Sequence, residues 1–61
     1  MKYVVYFREG NDVYKLLSCS KQEAKVAIDF FMEQGKEFVK VCRLVKGEDV
    51  LIKDVIRFLK S

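Results

Sequence analysis

The segment from Ser20 to Gly35 constrains the fold most, because it carries the signals of one amphipathic helix at both ends and along its length. Ser20 and Glu23 have the S-x-x-E spacing of a capping box, which satisfies free backbone amides at a helix start. Gly35 suits the position just after a helix, where the backbone turns left-handed. One stripe of the projected helix is apolar and consists of Ala24, Ala27, Ile28 and Phe31, flanked by Phe30 and Met32. We therefore predict a helix over residues 21–34 that packs against a sheet.

Two segments before this helix have the composition of β-strands. Residues 2–8 are β-branched and aromatic, and residues 12–19 share this character less strongly. Gly10 and Asn11 lie between them, and such a pair supplies positive φ at low steric cost. A two-residue hairpin loop is the predicted connection, and it fixes the register of the two strands.

This register divides the hairpin side chains into two faces, because cross-strand partners share a face. The predicted partners are Arg8 and Val13, Phe7 and Tyr14, Tyr6 and Lys15, Val5 and Leu16, Val4 and Leu17, and Tyr3 and Ser18. The face predicted to meet the helix holds Tyr3, Val5, Phe7, Tyr14 and Leu16. The other face is mixed, with more apolar surface than a solvated face needs, and holds Val4, Tyr6, Arg8, Val13, Lys15 and Leu17.

Residues 37–45 form the third predicted strand. Both of its alternating sets are largely apolar, which favours a central strand or a sheet covered on both sides. Periodicity does not choose between the two sets, which are Phe38, Lys40, Cys42 and Leu44 on one side and Val39, Val41, Arg43 and Val45 on the other. The strand can pair beside the second strand or beside the first. We prefer pairing beside the first strand, which gives a largely antiparallel sheet of order 2-1-3.

The last segment is predicted to be a second amphipathic helix over residues 50–60, with Asp49 as its N-cap. Its apolar side holds Leu51, Ile52, Val55, Ile56, Phe58 and Leu59. A chain of 61 residues forms one domain at most. The predicted fold class is therefore α+β, a single small domain in the order ββαβα, with a three-stranded sheet packed with two helices.

The residue types present exclude several kinds of chemistry. There is no histidine, so a serine–histidine or cysteine–histidine catalytic pair cannot form within one chain. Cys19 and Cys42 cannot supply the four ligands of a structural zinc site, and neither belongs to a C-x-x-C pair. The three glycines lie far apart, so there is no phosphate-binding loop. We predict a protein that is not an enzyme and that binds no cofactor and no metal.

The N-terminal segment and the cysteine usage indicate a cytoplasmic protein. Residues 1–7 are too short and too alternating for a signal peptide, and the longest apolar runs are too short for a membrane span. Small secreted scaffolds usually contain more cysteine than this chain does. We therefore expect both cysteines to be reduced.

Apolar surface remains after the first helix and one sheet face have covered each other. The last helix can fold over the open sheet face or beside the first helix, or it can pack against another chain. Large exposed apolar patches are unusual on soluble monomers. We predict a small interaction module that binds another protein or self-associates as a homodimer. The predicted partner-binding residues are Val4, Tyr6, Val13, Leu17, Leu51, Val55 and Phe58.

The alternative function is nucleic-acid binding through a basic C-terminal helix and a sheet face. The net charge is +3, and all of the excess lies in residues 36–61. Lys53, Arg57 and Lys60 follow helical i, i+4, i+7 spacing, and basic and aromatic groups on a sheet are typical of single-strand binders. The predicted contacts are Arg8, Lys15, Lys40, Arg43, Lys53, Arg57 and Lys60. The charge excess falls short of the strongly basic footprint of such domains, so this function ranks second.

The layout of a hairpin, a capped helix with Glu23-Ala24, and a β-rich strand after Gly35 resembles that of small phage-encoded inhibitors of host enzymes, including inhibitors of bacterial RNA polymerase. The resemblance spans about residues 3–45. It implies a phage or prophage protein that acts as an inhibitor or adaptor. Because it rests on layout and not on a motif, it assigns no functional residue.

Overall fold

The computed structural model describes residues 2–61 and has four strands and two helices. The elements are β1 (Lys2–Glu9), β2 (Asp12–Ser18), α1 (Lys21–Glu33), β3 (Glu37–Val45), β4 (Glu48–Leu51) and α2 (Val55–Lys60). All neighbouring strands are antiparallel, in the order β2-β1-β3-β4. The α+β class and the 2-1-3 order are confirmed. The prediction of three strands was wrong, because β4 adds a fourth beside β3.

The β1–β2 hairpin has the predicted register at every pair from Tyr3–Ser18 to Arg8–Val13. Gly10 has a φ of +61°, the sign that a type II′ hairpin turn needs at its first central position. The local turn chemistry thus decides which side chains of β1 point to the helix side.

Helix α1 starts and ends as its sequence predicts. The Glu23 amide donates to the Ser20 hydroxyl at 3.1 Å, and the Glu23 carboxylate accepts from the Cys19 amide at 2.9 Å, one residue earlier than in a standard capping box. At the other end Gly35 has a φ of +85°. The Lys36 amide bonds the Phe31 carbonyl, which completes a Schellman motif. The helix is therefore fixed by local bonds at both ends.

Strand β3 contains a β-bulge, which explains why its periodicity was ambiguous. Tyr6 pairs with Lys40 whereas Phe7 pairs with Phe38, so Val39 is the additional residue. As a result Phe38 and Val41 both face the helices, although strict alternation would put them on opposite sides. Neither alternating set predicted from the sequence describes the whole strand.

The segment after β3 turns back as a hairpin and does not begin a helix. Lys46 and Gly47 have φ values of +51° and +80°, as the two central positions of a type I′ turn require. The predicted helix over residues 50–60 was therefore wrong in its first half, where Glu48–Leu51 pairs with β3 as β4. Asp54, and not Asp49, is the N-cap, because its carboxylate accepts from the Arg57 amide at 3.0 Å.

Helix α2 packs beside α1, on the same side of the sheet. The ring of Phe58 lies 5.4 Å from that of Tyr3, and the ammonium group of Lys21 lies 5.3 Å from the Phe58 ring centroid. Lys25 donates to the carbonyl of Ser61 at 2.8 Å. The core between helices and sheet consists of Tyr3, Val5, Phe7, Ala24, Ile28, Val41 and Phe58. Both helices thus cover one side of the sheet, and the other side stays uncovered.

Candidate interaction surface

The side of the sheet that faces away from both helices is here called the open face. The register assigns to it Lys2, Val4, Tyr6, Arg8, Val13, Lys15, Leu17, Glu37, Lys40, Cys42, Leu44, Asp49 and Leu51. It receives side chains from all four strands, because residues in register share a face.

An apolar row crosses the open face from one edge of the sheet to the other. Leu17 on β2 pairs with Val4 on β1, Val4 pairs with Cys42 on β3, and Cys42 pairs with Leu51 on β4. The two central residues are buried by neighbouring side chains, whereas Leu17 and Leu51 are 55% and 51% exposed. Val13 adds a further exposed apolar side chain on β2. An antiparallel sheet face in water is normally polar, so this row is unusual for a solvated face.

Tyr6 is held in place across the middle of the open face. Its hydroxyl donates to the carboxylate of Asp49, so the side chains of Tyr6 on β1 and Asp49 on β4 meet over β3, which lies between these strands. The ammonium group of Lys40 lies 4.7 Å from the Tyr6 ring centroid, within cation–π range. The hydrogen bond to Asp49, with smaller contributions from desolvation and the Asp49 charge, raises the pKa of Tyr6 to about 12.

We predict that changing Asp49 to asparagine lowers the Tyr6 pKa from about 12 towards its ordinary value of 10. The substitution removes the negative charge that disfavours the phenolate. Because the folded-state pKa is the higher one, this bond contributes stability below about pH 10 and loses it as the pH rises towards 12. Spectrophotometric tyrosine titration measures the shift, and the difference spectrum against Tyr6→Phe isolates this phenol. A wild-type Tyr6 that titrates near 10 would contradict the bond.

Cys42 is a packed core-like residue of this face and not a reactive thiol. It is 2% exposed, and burial raises the pKa of its thiol, followed by a smaller effect of Asp49. A thiol needs a lowered pKa and access to react as a nucleophile. Cys19 is exposed at the start of α1, and both thiols are free.

The predicted partner-binding residues fall into two groups. The open face brings together Val4, Tyr6, Val13, Leu17 and Leu51. Phe58 is instead buried in the core, and Val55 packs against that core on the helix side. The structure therefore does not place these two residues on the same surface as the other five.

The basic residues predicted to contact nucleic acid are also divided. Arg8, Lys15 and Lys40 lie on the open face, whereas Arg43, Lys53, Arg57 and Lys60 lie on the helix side or in the C-terminal segment. The predicted basic stripe on one helix was wrong, because Lys53 precedes α2. Arg8 is paired, since its Nε and Nη2 donate to one oxygen of Glu37 at 2.8 and 2.6 Å.

Sequence reasoning missed a second exposed apolar surface at the β2 edge. Tyr14 and Leu16 were predicted to meet the helix, but they are 47% and 37% exposed. One helix is about 10 Å wide, and four strands span about 19 Å, so α1 cannot cover the whole sheet. On α1 itself Val26 and Phe30 are exposed as well. The one sequence feature that indicates this surface is the apolar stripe of α1, which is wider than is needed to cover one face of the sheet.

Comparisons of this chain with family models, curated proteins and solved structures find no match. Within residues 2–61, no cluster of three or more cysteine and acidic side chains could hold a metal ion. In that same range neither helix has the length and apolar character needed to cross a membrane.

Proposed function

We propose that this protein is a small non-enzymatic interaction module that binds another protein, or a second copy of itself, through the open face. The observation that carries this proposal is the apolar row from Leu17 to Leu51, which crosses all four strands on the side that no helix covers. Packed against a partner, the exposed side chains of Leu17 and Leu51 at the two ends of the row would be removed from water, at about 25 cal/mol per Å² of apolar surface.

The surroundings of the row have the composition of a protein interface. Lys15 and Lys40 lie on one side of the row and Asp49 on the other, so an apolar centre is bordered by charged groups. Tyr6 presents an aromatic side chain whose conformation is already fixed by Asp49 and Lys40. A fixed aromatic group loses little conformational entropy on binding, and tyrosine is frequent among residues that dominate binding energy.

The layout resemblance to small phage inhibitors favours a host enzyme as the protein partner. In that case the module would act by occupying a surface of the enzyme, as an inhibitor or adaptor, and would need no catalytic group of its own. This part of the proposal rests on the resemblance alone and is tested by the identity of the partner.

Affinity capture from host extract with three forms of the protein tests the proposal. The forms are wild type, Leu17→Glu on the open face, and Ile56→Glu on α2, where Ile56 is 68% exposed. Both variants add one carboxylate in place of an exposed aliphatic side chain. We expect at least one protein that wild type and Ile56→Glu retain and that Leu17→Glu loses at least tenfold. Equal capture by all three forms would overturn the proposal, as would a monomer that captures nothing.

Nucleic-acid binding stays as the second candidate because Tyr6, Lys15 and Lys40 lie together on the open face. Aromatic and basic groups in this arrangement can stack on bases and contact phosphates. Asp49 and Glu37 lie on the same face and oppose a polyanion. Fluorescence anisotropy with single- and double-stranded oligonucleotides at two salt concentrations distinguishes the candidates. Phosphate contacts require binding that weakens with salt and with Lys15→Glu.

A further inference from the structure

We propose that the free edge of β2 pairs with the same edge of a second copy, so that the two sheets join into one continuous antiparallel sheet. This dimer goes beyond the proposed function, because it uses the backbone edge of β2 and the adjoining flank of α1, and it involves only Lys15 and Leu17 of the open face.

The edge of β2 is exposed and largely unprotected. The two-residue loop makes Glu9 and Asp12 a hydrogen-bonded pair, and bonding to β1 alternates from there. The backbone groups of Val13, Lys15 and Leu17 therefore point outward. Natural edge strands are usually protected by short length, proline, bulges or charged side chains, lysine in particular. β2 has seven residues, no proline and two charged residues, Asp12 and Lys15, whereas the opposite edge strand, β4, has two acidic residues among only four.

The exposed apolar surface continues from this edge up onto α1. Tyr14 and Leu16 line a cleft with Phe31, whose ring contacts that of Phe30 edge-on at 5.2 Å. Phe30 lies on the flank of α1 opposite Lys21, which faces α2. The apolar surface at this edge therefore has two layers, one from the strand and one from the helix.

A second copy fits both layers, whereas a single extended peptide fits only the lower one. A twofold axis normal to the sheet sets β2 antiparallel to β2 and brings α1 beside α1 on the same side. Each α1 lies over its own β1, and the two β1 strands are separated by both β2 strands. The two α1 helices therefore lie three strand spacings, or about 14 Å, apart. Close-packed helices lie only 8–10 Å apart. The two Phe30 side chains would fill the remaining space between the two α1 helices.

The size of this surface sets the expected affinity. In a register centred on Leu16 residues 14–18 of the two strands overlap, and five residues at about 3.3 Å give a length of about 17 Å, while two layers give a depth of about 20 Å. The product is about 340 Å² for each copy, or about 700 Å² in total, which is below the 1,000 Å² of stable specific interfaces and is the size of a weak, transient one. Backbone hydrogen bonds between the edges add to it. We therefore expect a weak dimer that forms at high protein concentration, with a dissociation constant above the micromolar range.

Lys15 excludes the register of the two edges that is centred on it. A register centred on Lys15 would place two lysines directly opposite each other, which is unfavourable. A register centred on Leu16 places Leu16 opposite its own copy and Lys15 opposite Leu17. The two Leu16 residues then form a non-hydrogen-bonded pair with Cα atoms about 4.5 Å apart. A disulfide can span this distance.

Cysteine cross-linking in a Cys19→Ser background tests this register. Leu16→Cys is expected to form a disulfide-linked dimer in a glutathione buffer. Lys15→Cys is the control, because its two copies are displaced by two residues along the strands and lie about 8–9 Å apart. Cross-linking of Leu16→Cys alone supports the dimer. No cross-linking, or equal cross-linking of both variants, would overturn it.

Sedimentation equilibrium over a range of concentrations tests the helix layer. Phe30 and Met32 are each 53% exposed on α1, and Met32 lies about 200° further around the helix. We expect Phe30→Glu to raise the dimer dissociation constant at least tenfold and Met32→Glu to leave it unchanged. A wild-type monomer at all concentrations, or equal effects of both variants, would overturn the proposal. Leu17→Glu should still dimerise while it loses its captured partner, which separates this proposal from the proposed function.

Discussion

Replacing Phe58 with alanine is expected to lower the free energy of unfolding by about 3–5 kcal/mol. Phe58 is the buried residue of α2, at 6% exposure, and its ring packs on Tyr3 and under Lys21. Six residues are too few for a helix that is stable by itself, so the position of α2 depends on this contact. Urea unfolding followed by circular dichroism measures the change, and hydrogen exchange shows whether α2 has detached.

Ile56→Ala is the matched control for Phe58→Ala. Ile56 belongs to the same helix and is 68% exposed, so its truncation should change stability by less than about 0.5 kcal/mol. The comparison also separates two roles for the C-terminal segment. If α2 were mainly a partner surface, both variants would leave the monomer stable, and that result would contradict the packing of Phe58 described above.

Replacing Ile28 with alanine is expected to cost about 2–5 kcal/mol of stability. Ile28 is 1% exposed at the centre of α1, between the helix and the buried face of the sheet. A domain of this length has about 3–9 kcal/mol in total, so the variant should lose about half of its stability. Thermal and urea unfolding measure the loss.

A loss of stability in Ile28→Ala would come from lost packing and not from a lower helix propensity. Alanine is a better helix former than isoleucine, so the substitution favours the isolated helix and harms only its contacts. Val26→Ala is the control, because Val26 lies on the exposed side of the same helix. It should be neutral or slightly stabilising. Equal losses for the two variants would mean that α1 does not pack on the sheet through Ile28.

Partner binding and self-pairing use different surfaces of the domain, which meet at Lys15 and Leu17 on β2. The open face belongs to the side of the sheet without helices, whereas the proposed dimer uses the β2 edge and the outer flank of α1. A dimer of this kind would place two open faces on the same side of one sheet. The module would then present two copies of its apolar row to a partner, which increases binding when both can be occupied together.

About half of the candidate site could be predicted from the sequence, and the reason lies in local chemistry. The pair Gly10-Asn11 fixed the register of the hairpin, and the register alone places Val4, Val13 and Leu17 on one face. The position of Leu51 on the same face could not be predicted, because it depends on the pairing of residues 48–51 with β3 as a strand. Apolar residues at this position fit a helix face and an edge strand about equally well.

The sequence by itself determined α1 and the β1–β2 hairpin, because the cap at Ser20, the glycine at Gly35 and the loop at Gly10 act within a few residues of chain. Only the tertiary structure decided the bulge at Val39, the pairing of β4 and the side on which α2 packs. Each of these depends on contacts between distant segments, such as that of Phe58 with Tyr3. The open face exists because α2 packs beside α1, and no local pattern in the sequence encodes that choice.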